Sequence, residues 1–142
     1  MNLAYIAFHA RVYVLADRLQ AMPLKLAAVR KASERAVNSV RSDILATPQR
    51  YKELLVSIIS NVYSNTPPPP PPEVKEGEDH PEPHIDRFRY LLAAISARRL
   101  DSLKNFDSFN ACLKAFPDFA VDLIAQLTER APLKLDDDGY VL

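Results

Sequence analysis

One cysteine and three histidines, with a short run of aspartates near the end, are the side chains here with chemistry beyond simple charge. Cys112 sits in an apolar stretch with no residue pattern that brings a base beside it, so a packed thiol is expected rather than a nucleophile. His9 lies in an apolar run and is expected as a hydrogen-bonded core histidine. His80 and His84 have the spacing that places two ligands on one helical face, but Pro81 and Pro83 interrupt any helix there, so they read as a solvated pair. Asp136, Asp137, Asp138 and Gly139 lack the alternating oxygen ligands and closing glutamate of a calcium loop and read as a charged tail. Gly77 and Gly139 are the only glycines, too few and too distant for a loop whose backbone amides cradle phosphate. No catalytic, cofactor-binding or metal-ligating residue is assigned, no cofactor is expected, and the chain reads as no enzyme. Tyr13, Tyr51 and Tyr63 are expected as core aromatics whose hydroxyls reach a partner.

The elements that carry these residues are helices. From Leu3 to about Leu19 the residues are apolar nearly all round, which calls for burial against other protein. Phe8, Val12, Leu15 and Leu19 stack at helical spacing, with Ile6, Ala10 and Val14 on the adjoining face. Pro23 then suits the start of a second helix, about Leu24 to Val40, with Leu26, Val29, Ser33, Ala36 or Val37 and Val40 as its apolar stripe. The two should form an antiparallel hairpin. Thr47 and Pro48 make a good helix start, and Tyr51, Leu54, Leu55, Ile58 and Val62, widened by Val56, Ile59 and Tyr63, give a third helix to about Ser64 that needs more than one neighbour.

From Asn65 to Pro83 the composition changes: a proline run at Pro67 to Pro72 precedes an acidic segment with almost no apolar side chains. Such a stretch cannot bury enough surface to offset its ordering entropy, so a disordered polyproline and acidic linker is expected over residues 65–84, with use as a ligand for proline-reading domains as the alternative. Ile85, Phe88, Leu91, Leu92 and Ile95 then mark a fourth helix, ending near Arg98 and Arg99. Phe106, Phe109, Leu113 and Phe116 mark a fifth. Pro117 separates that from a sixth, with Phe119, Leu123, Ile124 and Leu127 inward and Asp118, Asp122, Gln126 and Glu129 in solvent. The expectation is an all-α chain of about six helices: residues 1–64, the linker, a helical subdomain at 85–131 that packs on the first part, and a flexible tail at 132–142.

The 142 residues suit one modest domain, and Lys and Arg balance Asp and Glu at 18 each. The balance is uneven. Residues 1–65 are basic, with Asp17, Glu34, Asp43 and Glu53 as their acids, while Glu73, Glu76, Glu78, Asp79, Glu82 and Asp86 make 73–86 acidic. This asymmetry favours loose docking of the acidic tether on the basic helices; the scattered basic residues without interleaved exposed aromatics argue against nucleic acid. A single cysteine excludes an intrachain disulfide and suits a reducing compartment, cytosol or nucleus. The opening run lacks a basic leader, and His9, Arg11, Asp17 and Arg18 interrupt it before a membrane-spanning length, so neither export nor a membrane span is expected.

His9, Ala10, Val12, Tyr13, Leu15, Ala16, Asp17, Arg18, Leu24 and Lys25 together resemble the helix hairpin that closes a BTB/POZ domain, as found in the large set of fungal BTB/POZ proteins. The family usually has a tyrosine where this chain has Leu19, and its tight turn here reads Gln20, Ala21, Met22, Pro23. The resemblance continues through Val62, Tyr63, Thr66 and Pro67, an arginine-rich helix from near Arg87, and Phe116 to Ala120 with Asp122 and Leu123, and so covers most of the chain, to about Leu127. It implies non-enzymatic protein–protein interaction as a scaffold or adaptor, with self-association or a cullin-type scaffold as partner, and no nucleic acid, membrane or small-molecule substrate. No alternating strand pattern precedes Leu3, so a carboxy-terminal portion without the amino-terminal BTB core is expected, leaving the face around Phe8 and Val12 exposed or repacked. Two other readings stay open: a small helical enzyme or cofactor-binding domain using Cys112 or the histidines, and a decayed or truncated copy without independent function.

Overall fold

The apolar periodicities become helices in the computed structural model, which describes residues 3–40, 49–66 and 86–129. In order these are α1 (Leu3–Arg18), α2 (Met22–Val40), α3 (Gln49–Asn65), α4 (Arg87–Arg98), α5 (Leu100–Leu103), α6 (Asp107–Ala115) and α7 (Pro117–Glu129). The fold is all-α, with no strand among the described residues. Thr47 and Pro48, most of the expected linker, and the tail at 132–142 lie outside them.

Helices α1 and α2 form a hairpin around a turn that the sequence reads poorly. The Ala21 amide donates to the Ala16 carbonyl at 2.9 Å and the Gln20 amide to the Asp17 carbonyl at 3.2 Å, the paired closure of a helix whose following residue turns left-handed. That residue is Gln20, at φ 56°, where a side chain crowds its own carbonyl and glycine would not. Replacing Gln20 with Gly is therefore expected to raise unfolding stability in urea by about 1 kcal/mol. Beyond the turn, Ala28, Ala32 and Ala36 recur at one-turn spacing on the buried side of α2, and with Ala10 of α1 they let the backbones approach closely. Ser33 and Ser96 are also buried, with no hydrogen-bond partner for either hydroxyl among the described residues.

The second half of the chain closes over the first. Helix α4 is enclosed along most of its length: Phe88 and every residue from Leu91 to Ser96 are buried. It packs on α7, α3, α2 and the single turn α5, while α3 also meets α1 and α6. Phe88, Leu91, Leu92 and Ile95 join Ile6, Leu55, Ile59, Phe109 and Phe119 in one continuous core. Full burial of each such side chain contributes about 1.5–3 kcal/mol before entropy is counted.

Several expectations change in the third dimension. Of the two apolar faces of α1, the one that enters the core carries Leu3, Ile6, Ala10, Tyr13 and Val14. Phe8 stays 58% exposed, Leu15 53% and Leu19 66%, so the helix is walled on one side only. Its neighbours α2 and α3 leave the Phe8, Leu15 and Leu19 face uncovered between them. Helix α3 runs one residue further than expected, and Thr66 beyond it is buried, so the first two residues assigned to the linker belong to the folded unit. On α7, Ile124 is exposed instead of inward, and Asp122 turns toward Tyr63 instead of solvent. Leu26 is exposed where the stripe of α2 placed it inward. The turn α5 carries too few apolar residues to show a period and was absent from the expected six helices.

Candidate interaction surface

Of the residues whose types could carry chemistry, those described fall on different helices, His9 on α1 and Cys112 on α6. His80, His84 and Asp136 to Gly139 lie outside the described residues. Among those described, no group of three His, Cys, Asp or Glu side chains could hold a metal ion, and no helix is long and apolar enough to cross a membrane. Cys112 is buried on α6, with Ser60 of α3 at 3.9 Å from its sulfur. Burial pushes its thiol above the ordinary cysteine value, with the Ser60 contact opposing, so the reactive thiolate is disfavoured. His9 is not a core residue. It stands half-buried between two rings, edge-on to Tyr5 at 4.5 Å and to Phe8 at 5.2 Å. Burial, and then the charge of Lys31, hold the imidazole below its ordinary value, which favours the neutral ring.

What the fold does assemble is a latch of charged and phenolic groups under the hairpin. Asp86, an aspartate directly before a helix, accepts the amides of Phe88 and Arg89 at 3.1 Å each and so caps α4. The same carboxylate oxygen accepts the Tyr13 hydroxyl at 2.7 Å, tying α1 to the start of α4. Arg89, 4% exposed, donates from Nη2 to the Thr66 carbonyl at 2.6 Å and from Nε to the Thr66 hydroxyl at 3.2 Å. Its guanidinium also lies 4.4 Å from the centre of the Tyr63 ring, with Asp86 at 3.7 Å and Asp118 at 3.8 Å. Tyr63 in turn donates its hydroxyl to Asp122 at 2.6 Å. Titratable groups do converge here, but each is engaged by another side chain or by backbone. The latch fastens α1, α3, α4 and α7. The expectation that Tyr13 and Tyr63 would be core aromatics with partnered hydroxyls holds. Arg89 was missed, although an arginine directly after Phe88 in an apolar run was a signal for a buried cation.

With α1 held on that side, its other side is presented outward. Phe8, Val12, Leu15 and Leu19 follow the alternating four- and three-residue spacing of a coiled-coil seam. Val12 is partly buried against the core, and the other three project. Toward α3 the seam borders a cleft of about 180 Å³ lined by Arg11, Val14, Leu15, Arg18, Asn61 and Asn65. Arg18 donates to the Asn65 side-chain oxygen at 2.6 Å, and Asn65 donates to the Asn61 carbonyl and side-chain oxygens at 2.8 and 2.9 Å. Toward α2 the seam borders Tyr5 and His9, with the Arg35 guanidinium 4.4 Å from the Tyr5 ring centre. Asp17 is held at 2.6 Å by Lys25 of α2. Both rims of the apolar seam therefore carry positive charge.

No family model matches this chain, and neither a curated protein nor a solved structure matches it.

Proposed function

We propose that the chain is a non-enzymatic protein-interaction module, BTB/POZ-like in type, that acts as a scaffold or adaptor through the outward seam of α1. The observation that carries this reading is the exposure of Phe8, Leu15 and Leu19 in seam register on a helix whose opposite face is locked into the core. An ordered apolar stripe of this kind, offered to water on a rigid support, is what a docked helix covers. The titratable interior groups argue in the same direction, since the latch uses them for structure.

A cullin-type scaffold and a second copy of the chain are the partners the resemblance suggests; nucleic acid, lipid and small-molecule substrates are not proposed. The cysteine usage fits cytosol or nucleus. Sedimentation velocity of the purified chain, alone and with a recombinant cullin scaffold, tests the reading. A saturable complex is expected in one arm, weakened roughly tenfold or more by Leu15→Asp with helix content unchanged. Absence of any complex at high micromolar concentration, or a complex indifferent to Leu15→Asp, overturns it.

A further inference from the structure

The seam on α1 has a register, and the register places its charges. With Val12 and Leu19 at one seam position and Phe8 and Leu15 at the other, Arg11 and Arg18 fall one heptad apart at the same flanking position. These are the positions whose charge selects a partner and its orientation in paired helices. Both arginines are exposed, and neither is paired with a carboxylate among the described residues. Arg18 is steadied by the neutral amide of Asn65, which leaves its charge uncompensated among the described residues. The opposite flank holds His9 and Ala16, with Lys31 acting on His9 and Arg35 over Tyr5. Asp17, the acid of α1, is turned into its pair with Lys25.

We infer that α1 docks an amphipathic helix of another protein, one whose apolar seam is flanked by glutamate or aspartate. The seam residues pack on Phe8, Leu15 and Leu19, one of them entering the cleft between α1 and α3, while the acids meet Arg11 and Arg18. A second copy of this chain fits poorly. Antiparallel pairing through the same seam sets arginine against arginine, and parallel pairing sets the arginines against the flank of His9 and Ala16, which carries no carboxylate. This inference rests on the reading of the α1 face as an interaction surface.

The test uses the full chain and two synthetic helical peptides of about three heptads with leucine at both seam positions, one with glutamate and one with lysine at the flanks. Fluorescence anisotropy is expected to show saturable binding of the glutamate peptide, roughly tenfold or more tighter than the lysine peptide and weakened by added salt. The double variant Arg11→Glu/Arg18→Glu, which touches only exposed positions, is expected to reverse that preference. Leu15→Asp is expected to abolish binding of both. Equal affinity for the two peptides, unchanged in the double variant, overturns the charge assignment and leaves the interaction face standing. Self-association through the seam does the same. Binding to phosphatidylserine vesicles with neither peptide bound overturns the inference in favour of a lipid surface. No binding in any arm, with Leu15→Asp silent throughout, overturns both the inference and the functional reading beneath it.

Discussion

Arg89→Ala is expected to lower unfolding stability by about 3–5 kcal/mol, the loss typical when one member of a buried charged network is removed. The guanidinium is almost wholly out of water, and it satisfies the Thr66 carbonyl and hydroxyl in one fork. Truncation strands the carbonyl, leaves the Asp86 carboxylate without the nearby cation, and opens a void beneath the Tyr63 ring. All three effects act in the same direction. Against a total stability of about 5–15 kcal/mol for a domain of this size, the loss takes much of the margin. Urea unfolding followed by circular dichroism measures it. Arg89→Met, which keeps most of the apolar stem, separates the packing part from the charge part, and Arg89→Lys is expected to recover little because an ammonium cannot reproduce the fork. A change under about 1 kcal/mol in Arg89→Ala would mean that the latch contributes no net stability.

The second large effect is unfolding in alkali. Burial first, and the neighbouring carboxylates Asp86 and Asp122 next, raise the Tyr13 and Tyr63 hydroxyls far above the ordinary phenolic value of 10.0. For Tyr63 the hydrogen bond to Asp122 outweighs its charge. A phenol that holds its proton more tightly in the folded chain stabilises it fully below pH 10, and that stability drains as pH rises above 10, because the unfolded chain then releases the proton and the folded one does not. Each buried tyrosine costs about 1.4 kcal/mol per pH unit in that range, and the two together roughly twice that. Helix loss is therefore expected to coincide with a cooperative step in tyrosinate absorbance. Tyr13→Phe and Tyr63→Phe should each lower the pH slope by about 1.4 kcal/mol per unit while costing about 1 kcal/mol at neutral pH for the lost hydrogen bond. Ionisation of both phenols in chains that keep their full helix signal would contradict the burial argument.

Much of the helical organisation was legible in the primary structure, because apolar spacing and proline placement act locally. Pro117 occupies the first helical position of α7, where its missing amide costs nothing, and α2 opens at Met22 with Pro23 in its first turn. The breadth of the apolar face on α3, from Tyr51 to Tyr63, announced that several neighbours would cover it, and α1, α4 and α6 do. The site was less legible. Asp122 sits at a position that helical spacing assigns to solvent, yet a tyrosine from an element 59 residues earlier in the chain bends it inward. Nothing local to α7 encodes that contact.

The two apolar stripes of α1 mark where local information stops. The sequence by itself determined that both would exist, since Phe8, Val12, Leu15 and Leu19 and their neighbours Ile6, Ala10 and Val14 each recur at helical spacing on a segment with few polar residues. It determined equally that the chain would be helical and that its lone cysteine would sit in a helix. Which stripe enters the core was decided only by tertiary structure. The alanines of α2 admit α1 closely along the Ala10 side, and the Tyr13 hydroxyl finds the capping carboxylate of Asp86 73 residues away. The second contact joins chain segments far apart in sequence, and hydrophobicity alone does not distinguish one apolar face from the other. Once the Tyr13 side is bound, helical geometry leaves Phe8, Leu15 and Leu19 in water.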